Sequence, residues 1–274
     1  MTVGLFIVPS PTITRQNEKV IGVIDSGVGG LSVLREIRDQ LPDQDLIYIG
    51  DSAWCPYGTK SFPDICQRTF ALTDFLMSRG AGAIVIACNS ATIVAIQALR
   101  TQYPLPFIGM EPGVKPAAAI TRTGTIGVLA TEASLSGQKF HHLVDQHARD
   151  LQVITQPCPK FVELVEQGIL AGPEVESAID EYTTDMLAAN ADVLILGCSH
   201  YPFLRPALEN KLPHHIRFID TGEAIARRVS AHELTSSTNP ATEILTTGDS
   251  DQMKRLVEKL VPGLNFSCSP LSLP

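Results

Sequence analysis

Cys88 and Cys198 each close a short apolar run and are followed at once by small polar residues, Asn89-Ser90-Ala91 in one case and Ser199-His200-Tyr201-Pro202 in the other. A cysteine placed where a strand gives way to a helix meets the positive end of the helix dipole, which favours its thiolate. Free cysteine is also a common buried hydrophobe, and that reading suits Cys66, Cys158 and Cys268, which lack the polar continuation. Cys55 is placed with them as structural or incidental, although it lies in a loop suited to a site. Two thiols in equivalent settings suggest one reaction above others. Taking a proton from one face of a carbon and returning one to the opposite face needs two acid/base groups, and a cleft between two similar halves supplies that geometry. Racemisation is the natural outcome. No lysine motif for a pyridoxal Schiff base is evident, so a cofactor-free route is the simpler assumption.

Neighbouring residues carry two readings each. His200 is either an acid/base partner of Cys198, with a near-neutral titration, or a histidine near a helix start that only bonds backbone. Asp25 precedes Gly27-Val28-Gly29-Gly30 and is either an N-cap or a group that orients a substrate ammonium or tunes a thiol. His141, His142 and His147 read as a solvated helix face.

These residues must be positioned by an α/β framework. Short β-branched runs alternate with helical patterns, the signature of a largely parallel sheet. Val20–Ile24, Leu46–Ile49, Ala83–Ala87, Phe107-Ile108, Ile126–Leu129 and Val193–Leu196 read as strands, with a long helix over Phe62 to Arg79. Ile21-Gly22-Val23-Ile24 matches Ile126-Gly127-Val128-Leu129, and the run into Cys88 matches the run into Cys198 at a similar offset. Duplicated halves follow as the topology. The tail holds a helix through Arg228, a strand at Glu243–Thr247 and a helix near Gln252–Leu260, too little for a third domain, so it packs back onto one half. Ligands of open α/β sheets bind at the carboxyl ends of the strands. The polar residues there are Asp25-Ser26, Tyr57-Gly58, Cys88-Asn89-Ser90, Thr131 and Cys198-Ser199-His200. The glycine run lets backbone N–H groups approach a carboxylate or phosphate. It is not a dinucleotide fingerprint, and the P-loop lysine is missing.

Composition removes several classes. The formal charge of −8 disfavours non-specific binding to nucleic acid or anionic membrane. Hydrophobic content of 44% against 18% charged residues fits a globular chain. The apolar runs are too short to span a bilayer. Residues 1–19 carry two early prolines and no basic leader, and read as a loose extension rather than a secretory signal. The six cysteines contain no CxxC pair and no Cys/His group at zinc spacing, which points to free thiols in the cytoplasm and to no bound metal.

The segments IGVIDSGVGGLSVLREI, YIGDSAWCPYGTKS, IVIACNSAT, GVLATEASLSGQKF, CPKFVELVEQG and LILGCSHYP, in this order from about residue 20 to 221, resemble the glutamate racemases of the aspartate/glutamate racemase family. The resemblance implies an isomerase that interconverts L- and D-glutamate without a cofactor and supplies D-glutamate for peptidoglycan, and hence for cell-wall synthesis and cell shape. It implies two pseudo-symmetric, doubly wound α/β domains with the active site in the cleft between them, 20–112 with 222–274 and 113–221. It assigns Cys88 and Cys198 as acid/base thiols, assisted by Asp25 and His200, with Glu166 near the second thiol. Glutamate would be held by Asp25, Ser26, Tyr57, Gly58, Asn89, Ser90, Thr131, Ser199 and His200. A cytoplasmic homodimer is implied as well. Ser90, Ser134 and Ser199 stand where threonine is more usual, each keeping a hydroxyl. Aspartate racemase is the nearest rival, since one methylene in a pocket is worth only about 1–3 kcal/mol. A binding module without turnover, and a thiol hydrolase that uses Cys198 with His200 and dispenses with Cys88, are the readings from other classes.

Overall fold

The computed structural model describes residues 20–232 and 235–273, so the proposed extension, 1–19, lies outside the described residues. The chain runs β1 (Val20–Asp25), α1 (Leu31–Gln40), β2 (Asp45–Gly50), α2 (Phe62–Ser78), β3 (Ala81–Ile86), α3 (Asn89–Gln102) and β4 (Phe107–Gly109). It continues through α4 (Val114–Ile120), β5 (Thr125–Ala130), α5 (Glu132–Leu135), α6 (Gln138–His147), β6 (Gln152–Pro157), α7 (Pro159–Glu166), α8 (Pro173–Ala188), β7 (Val193–Gly197), α9 (Arg205–Lys211) and β8 (Arg217–Ile219). The last elements are α10 (Gly222–Ser230), β9 (Thr242–Thr246), α11 (Ser250–Leu260) and β10 (Ser267–Pro270).

Two parallel sheets result, in the orders β10-β9-β2-β1-β3-β4 and β6-β5-β7-β8. Within each, four successive strands take the spatial order second, first, third, fourth. The duplicated topology read from the sequence is therefore real: β1 corresponds to β5 and β3 to β7. In this winding the chain leaves the first strand to one side and returns for the third on the other, so a crevice opens where their carboxyl ends meet. Asp25-Ser26 and Cys88 stand at that point in one sheet, Thr131 and Cys198 at the same point in the other.

Central strands are apolar because helices cover both sheet faces. Ile21, Val23, Ile24, Ile84, Val85, Ile86, Val193, Leu194 and Ile195 are all buried. Helix α2 has signals that fix it locally. Ser61 caps it by accepting the Asp64 N–H, Pro63 sits in the first turn, and Gly80 follows at φ +83°, a left-handed conformation that ends the helix at little cost. The tail returns to the first sheet, where β9 pairs with β2 and α10 lies along α1. One apolar cluster runs through both halves, joining Val28, Leu31 and Leu34 to Leu196 and Phe203 and to Ile225, Met253 and Val257 of the tail.

A buried carboxylate ties the tail to the first half. Asp51, just past β2, accepts hydrogen bonds from Arg68 Nε at 2.7 Å and Nη2 at 2.8 Å, from the Tyr57 hydroxyl at 2.6 Å and from Thr247 Oγ1 at 2.7 Å. Removing it strands a largely buried guanidinium, a change that costs about 3–5 kcal/mol in comparable pairs. Asp51→Ala should therefore lower the urea-unfolding free energy by about that amount, with Asp51→Asn intermediate. A loss below about 1 kcal/mol would show that this network does not hold the tail and the Tyr57 loop.

Candidate active site

The crevices of the two sheets face each other. From the first half, Ser26 follows β1, Tyr57 and Gly58 come from the loop after β2, and Cys88, Asn89 and Ser90 sit at the start of α3. From the second, Thr131 follows β5 and Cys198, Ser199 and His200 follow β7. All of these line one cavity, together with Pro56 and Val162, which the sequence reading did not include. The cavity measures only about 20 Å³, room for a single water molecule. An amino acid enters only if the elements around the cavity move apart.

Cys88 is the N-cap of α3. Its sulfur accepts the Ala91 N–H at 3.5 Å, and burial pushes the thiol up to about 12. Thr131, at the end of β5, caps α5 by accepting the Ser134 N–H and lies 3.0 Å from Ser90 Oγ across the cleft. Asn89 Oδ1 is buried and finds no hydrogen-bond partner among the described residues, which leaves it an acceptor facing a donor yet to arrive.

Cys198 has a different environment. Its sulfur lies 3.6 Å from His200 Nδ1, and His200 Nε2 lies 2.6 Å from Glu166 Oε1 at the end of α7. The alternative in which His200 only bonds backbone is therefore excluded. Burial opposes charge on His200, but hydrogen bonds to Cys198, Cys55 and Glu166 outweigh it and hold the imidazole well above its ordinary value. Burial likewise opposes ionisation of Glu166, and the hydrogen bond and charge of His200 overcome it, keeping the carboxyl below its usual range. The two form an ion pair behind Cys198.

Asp25 does not line the cavity. It lies directly behind it, fully buried, where Oδ1 accepts the Gly27 N–H at 3.0 Å and Oδ2 accepts the Ser199 hydroxyl at 2.9 Å. Burial raises its pKa, offset in part by the charge of His200 and by these hydrogen bonds. It is not the N-cap of α1, a position taken by Gly30. The glycine run also has a role the sequence did not disclose. An added Cβ would overlap Glu166 Oε1 at Gly27, and His200 Nδ1 and Ser199 Oγ at Gly29. Both glycines are thus needed for close approach between the halves. The carboxylate met by the loop's N–H groups is the protein's own, since Val28 N–H donates to Glu166 Oε1 at 2.8 Å.

Cys55 corrects the sequence reading. Far from incidental, it lies beside Glu166 and His200, with one ligand-capable atom of each residue within 4.8 Å of the others. No local pattern signals this, because residues 55, 166 and 200 are joined only by the fold. Ser32 was also overlooked; its hydroxyl donates to the Ser199 carbonyl at 2.8 Å and adds another link between the halves. Of the three histidines read as a solvated face, His141 and His142 are exposed and His147 is half-buried, and all six cysteines are free thiols. No helix among the described residues is long and apolar enough to cross a membrane.

The chain is similar to known proteins in sequence and in fold. Residues 21–229 match the Asp/Glu/Hydantoin racemase family. A glutamate racemase of Ectopseudomonas mendocina is 48% identical over 254 residues, covering 90% of this chain and 96% of the relative. Among solved structures, a glutamate racemase isoform of Bacillus anthracis superposes with a TM-score of 0.86 at 31% identity, covering 94% of this chain and 99% of the other. The Escherichia coli glutamate racemase, solved in complex with L-glutamate and the activator UDP-MurNAc-Ala, superposes with a TM-score of 0.81 at 32% identity over 89% of this chain and 95% of its own. The chain belongs to the Asp/Glu/Hydantoin racemase family.

Proposed function

We propose that this chain is a glutamate racemase that interconverts L- and D-glutamate without a cofactor and supplies D-glutamate for peptidoglycan. The observation that carries the proposal is the convergence of Cys88 and Cys198, from equivalent strand ends of two similar halves, on one cavity. The whole-length similarity to glutamate racemases supports the substrate. The six free thiols suit a cytoplasmic location, and a homodimer is the proposed assembly.

In this reading glutamate lies between the sulfurs with its Cα–H directed at one of them. A thiolate on one face takes the α-proton, and the opposite thiol returns a proton to the other face, so the configuration inverts and the protonation states of the two cysteines are exchanged. Asn89 Oδ1 accepts from the substrate ammonium. The hydroxyls of Ser26, Ser90 and Thr131 and the N-terminus of α3 receive the carboxylates. Tyr57 and Gly58 close the cavity, with Tyr57 held by Asp51. Asp25 acts from behind by positioning Ser199. His200 and Glu166 supply a fixed charge pair beside Cys198, so the two thiols are not equivalent and kcat and KM differ between the two directions by the same factor, the equilibrium constant being one. The proposed division of the chain, 20–112 with 222–274 against 113–221, places the opening motion between the two sulfurs.

Circular dichroism of the protein with either glutamate enantiomer, no added cofactor and L-aspartate in parallel, should show loss of optical activity from both glutamates and none from aspartate. Turnover of aspartate alone would move the chain to the rival racemase. Cys88→Ala and Cys198→Ala should each abolish racemisation in both directions, whereas a thiol hydrolase would not need Cys88. Near wild-type turnover in either variant would refute the two-thiol mechanism.

The positioning role of Glu166 predicts a specific titration. The charged pair persists from the depressed pKa of Glu166 up to the raised pKa of His200, and is lost as the pH rises through the latter. In Glu166→Gln the imidazole should lose its proton at lower pH, as followed by NMR of the His200 ring. An unmoved titration would show that Glu166 does not hold that charge.

A further inference from the structure

We propose that Cys55, Glu166 and His200 form a binding site for a zinc-class divalent cation, and that the bound ion staples the two halves shut. The chemistry of the three donors is the starting point. Thiolate, imidazole and carboxylate are the ligand set of zinc and cobalt, and three protein ligands leave a fourth tetrahedral position for water. Their ligand atoms already lie within 4.8 Å of one another. A tetrahedral ion with bonds of about 2.0–2.3 Å sets its ligands about 3.3–3.8 Å apart, so side-chain shifts that widen the 2.6 Å spacing of His200 and Glu166 would complete the geometry.

The ion takes the place of the hydrogen bond between His200 Nε2 and Glu166 Oε1. Val28 N–H and His200 both engage Glu166 Oε1, which leaves Oε2 for an ion. Binding at His200 Nε2 fixes the other nitrogen, Nδ1, as the proton carrier facing Cys198. The ion replaces the Cys55 thiol proton and the proton on His200 Nε2, and both pass to solvent. Gly27 has no side chain to fill the space, since a Cβ there would overlap Glu166 and press on Cys55 Sγ at 3.0 Å. Access is separate from the catalytic cavity. Cys55 and Glu166 also line a second cavity of about 360 Å³ between the Val28 loop and α11, with the carboxylates of Glu163 and Asp249 at its wall to attract a cation.

The consequence follows from which halves the ligands belong to. Cys55 comes from the loop after β2, while Glu166 and His200 come from α7 and the turn after β7. The closed catalytic cavity must open to exchange an amino acid, and an ion bonded to both sides opposes that motion. The regulated activity rests on the racemase reading given above, whereas the binding does not.

The test uses the intact, reduced chain. Co²⁺ should produce a tetrahedral d–d spectrum with a thiolate-to-cobalt charge-transfer band at one ion per chain. Zn²⁺ should displace it and inhibit glutamate turnover, reversibly on chelation. Cys55→Ala, with Cys55→Ser as a second variant, should remove the charge-transfer band, retain metal-free turnover, and raise the half-inhibitory zinc concentration by about tenfold or more. A band that survives both substitutions, with inhibition unchanged, would place the metal on the catalytic thiols and overturn the proposal. Absence of any band in the unsubstituted chain would do the same, and a band without inhibition would overturn the stapling. The spectrum reports binding whether or not the chain turns over glutamate, so failure of the racemase reading is recognised separately, by inactivity of the metal-free protein.

Discussion

The close approach of the Gly27–Gly30 loop to the turn after β7 is the contact on which the site depends. Across it run the Val28 N–H to Glu166, the Ser199 hydroxyl to Asp25 and the Ser32 hydroxyl to the Ser199 carbonyl, all at 2.8–2.9 Å. Each of these groups is polar and removed from water, so each would be costly if left without its partner. The glycines leave space for Glu166, His200 and Ser199, and those side chains in turn stand where they bear on Cys198. One interface therefore sets both the separation of the halves and the electrostatics of one thiol.

The two sulfurs are equivalent in topology and different in environment. Cys88 has a helix N-terminus and one backbone donor, whereas Cys198 has an ionised histidine–glutamate pair. A substrate whose α-carbon sits between them meets the same element on both faces but not the same neighbouring charges. That difference comes from Glu166 of the second half's α7, which pairs with His200, whereas the acidic group that bears on Cys88 is Asp25, behind the cavity. Opening and closing then matter as much as proton transfer, because the closed cavity is too small for an amino acid.

The most legible parts of the sequence were those buried on both sides. β1, β3, β5 and β7 are central parallel strands, so their residues form continuous apolar runs, and the polar residues that end them mark the site. Of the four edge strands only β4, whose three residues are buried, carried such a signal. β6, reading QVITQP, is half exposed, β10, reading SCSP, is mostly exposed, and each is paired on one side only, so neither hydrophobicity nor alternation marks them. β8 has three residues, too few for a period. Among site residues, Glu166 was identified only by resemblance, and Cys55, Ser32 and Asp51 not at all. Their roles arise from pairings across the chain: Asp51 with Thr247, Ser32 with Ser199, and Cys55 with His200. A one-dimensional pattern cannot show which distant groups meet.

The central claim is that the proton removed and the proton returned belong to different sulfurs. The most direct measurement is deuterium content at Cα during turnover of protiated L-glutamate in D₂O, read by mass spectrometry at low conversion in substrate and product separately. Two thiols on opposite faces predict fully deuterated D-glutamate while the remaining L-glutamate keeps its protium. Protium carried over into the product, or early deuterium in the unreacted substrate equal to that in the product, would contradict the account and point to a single base serving both faces.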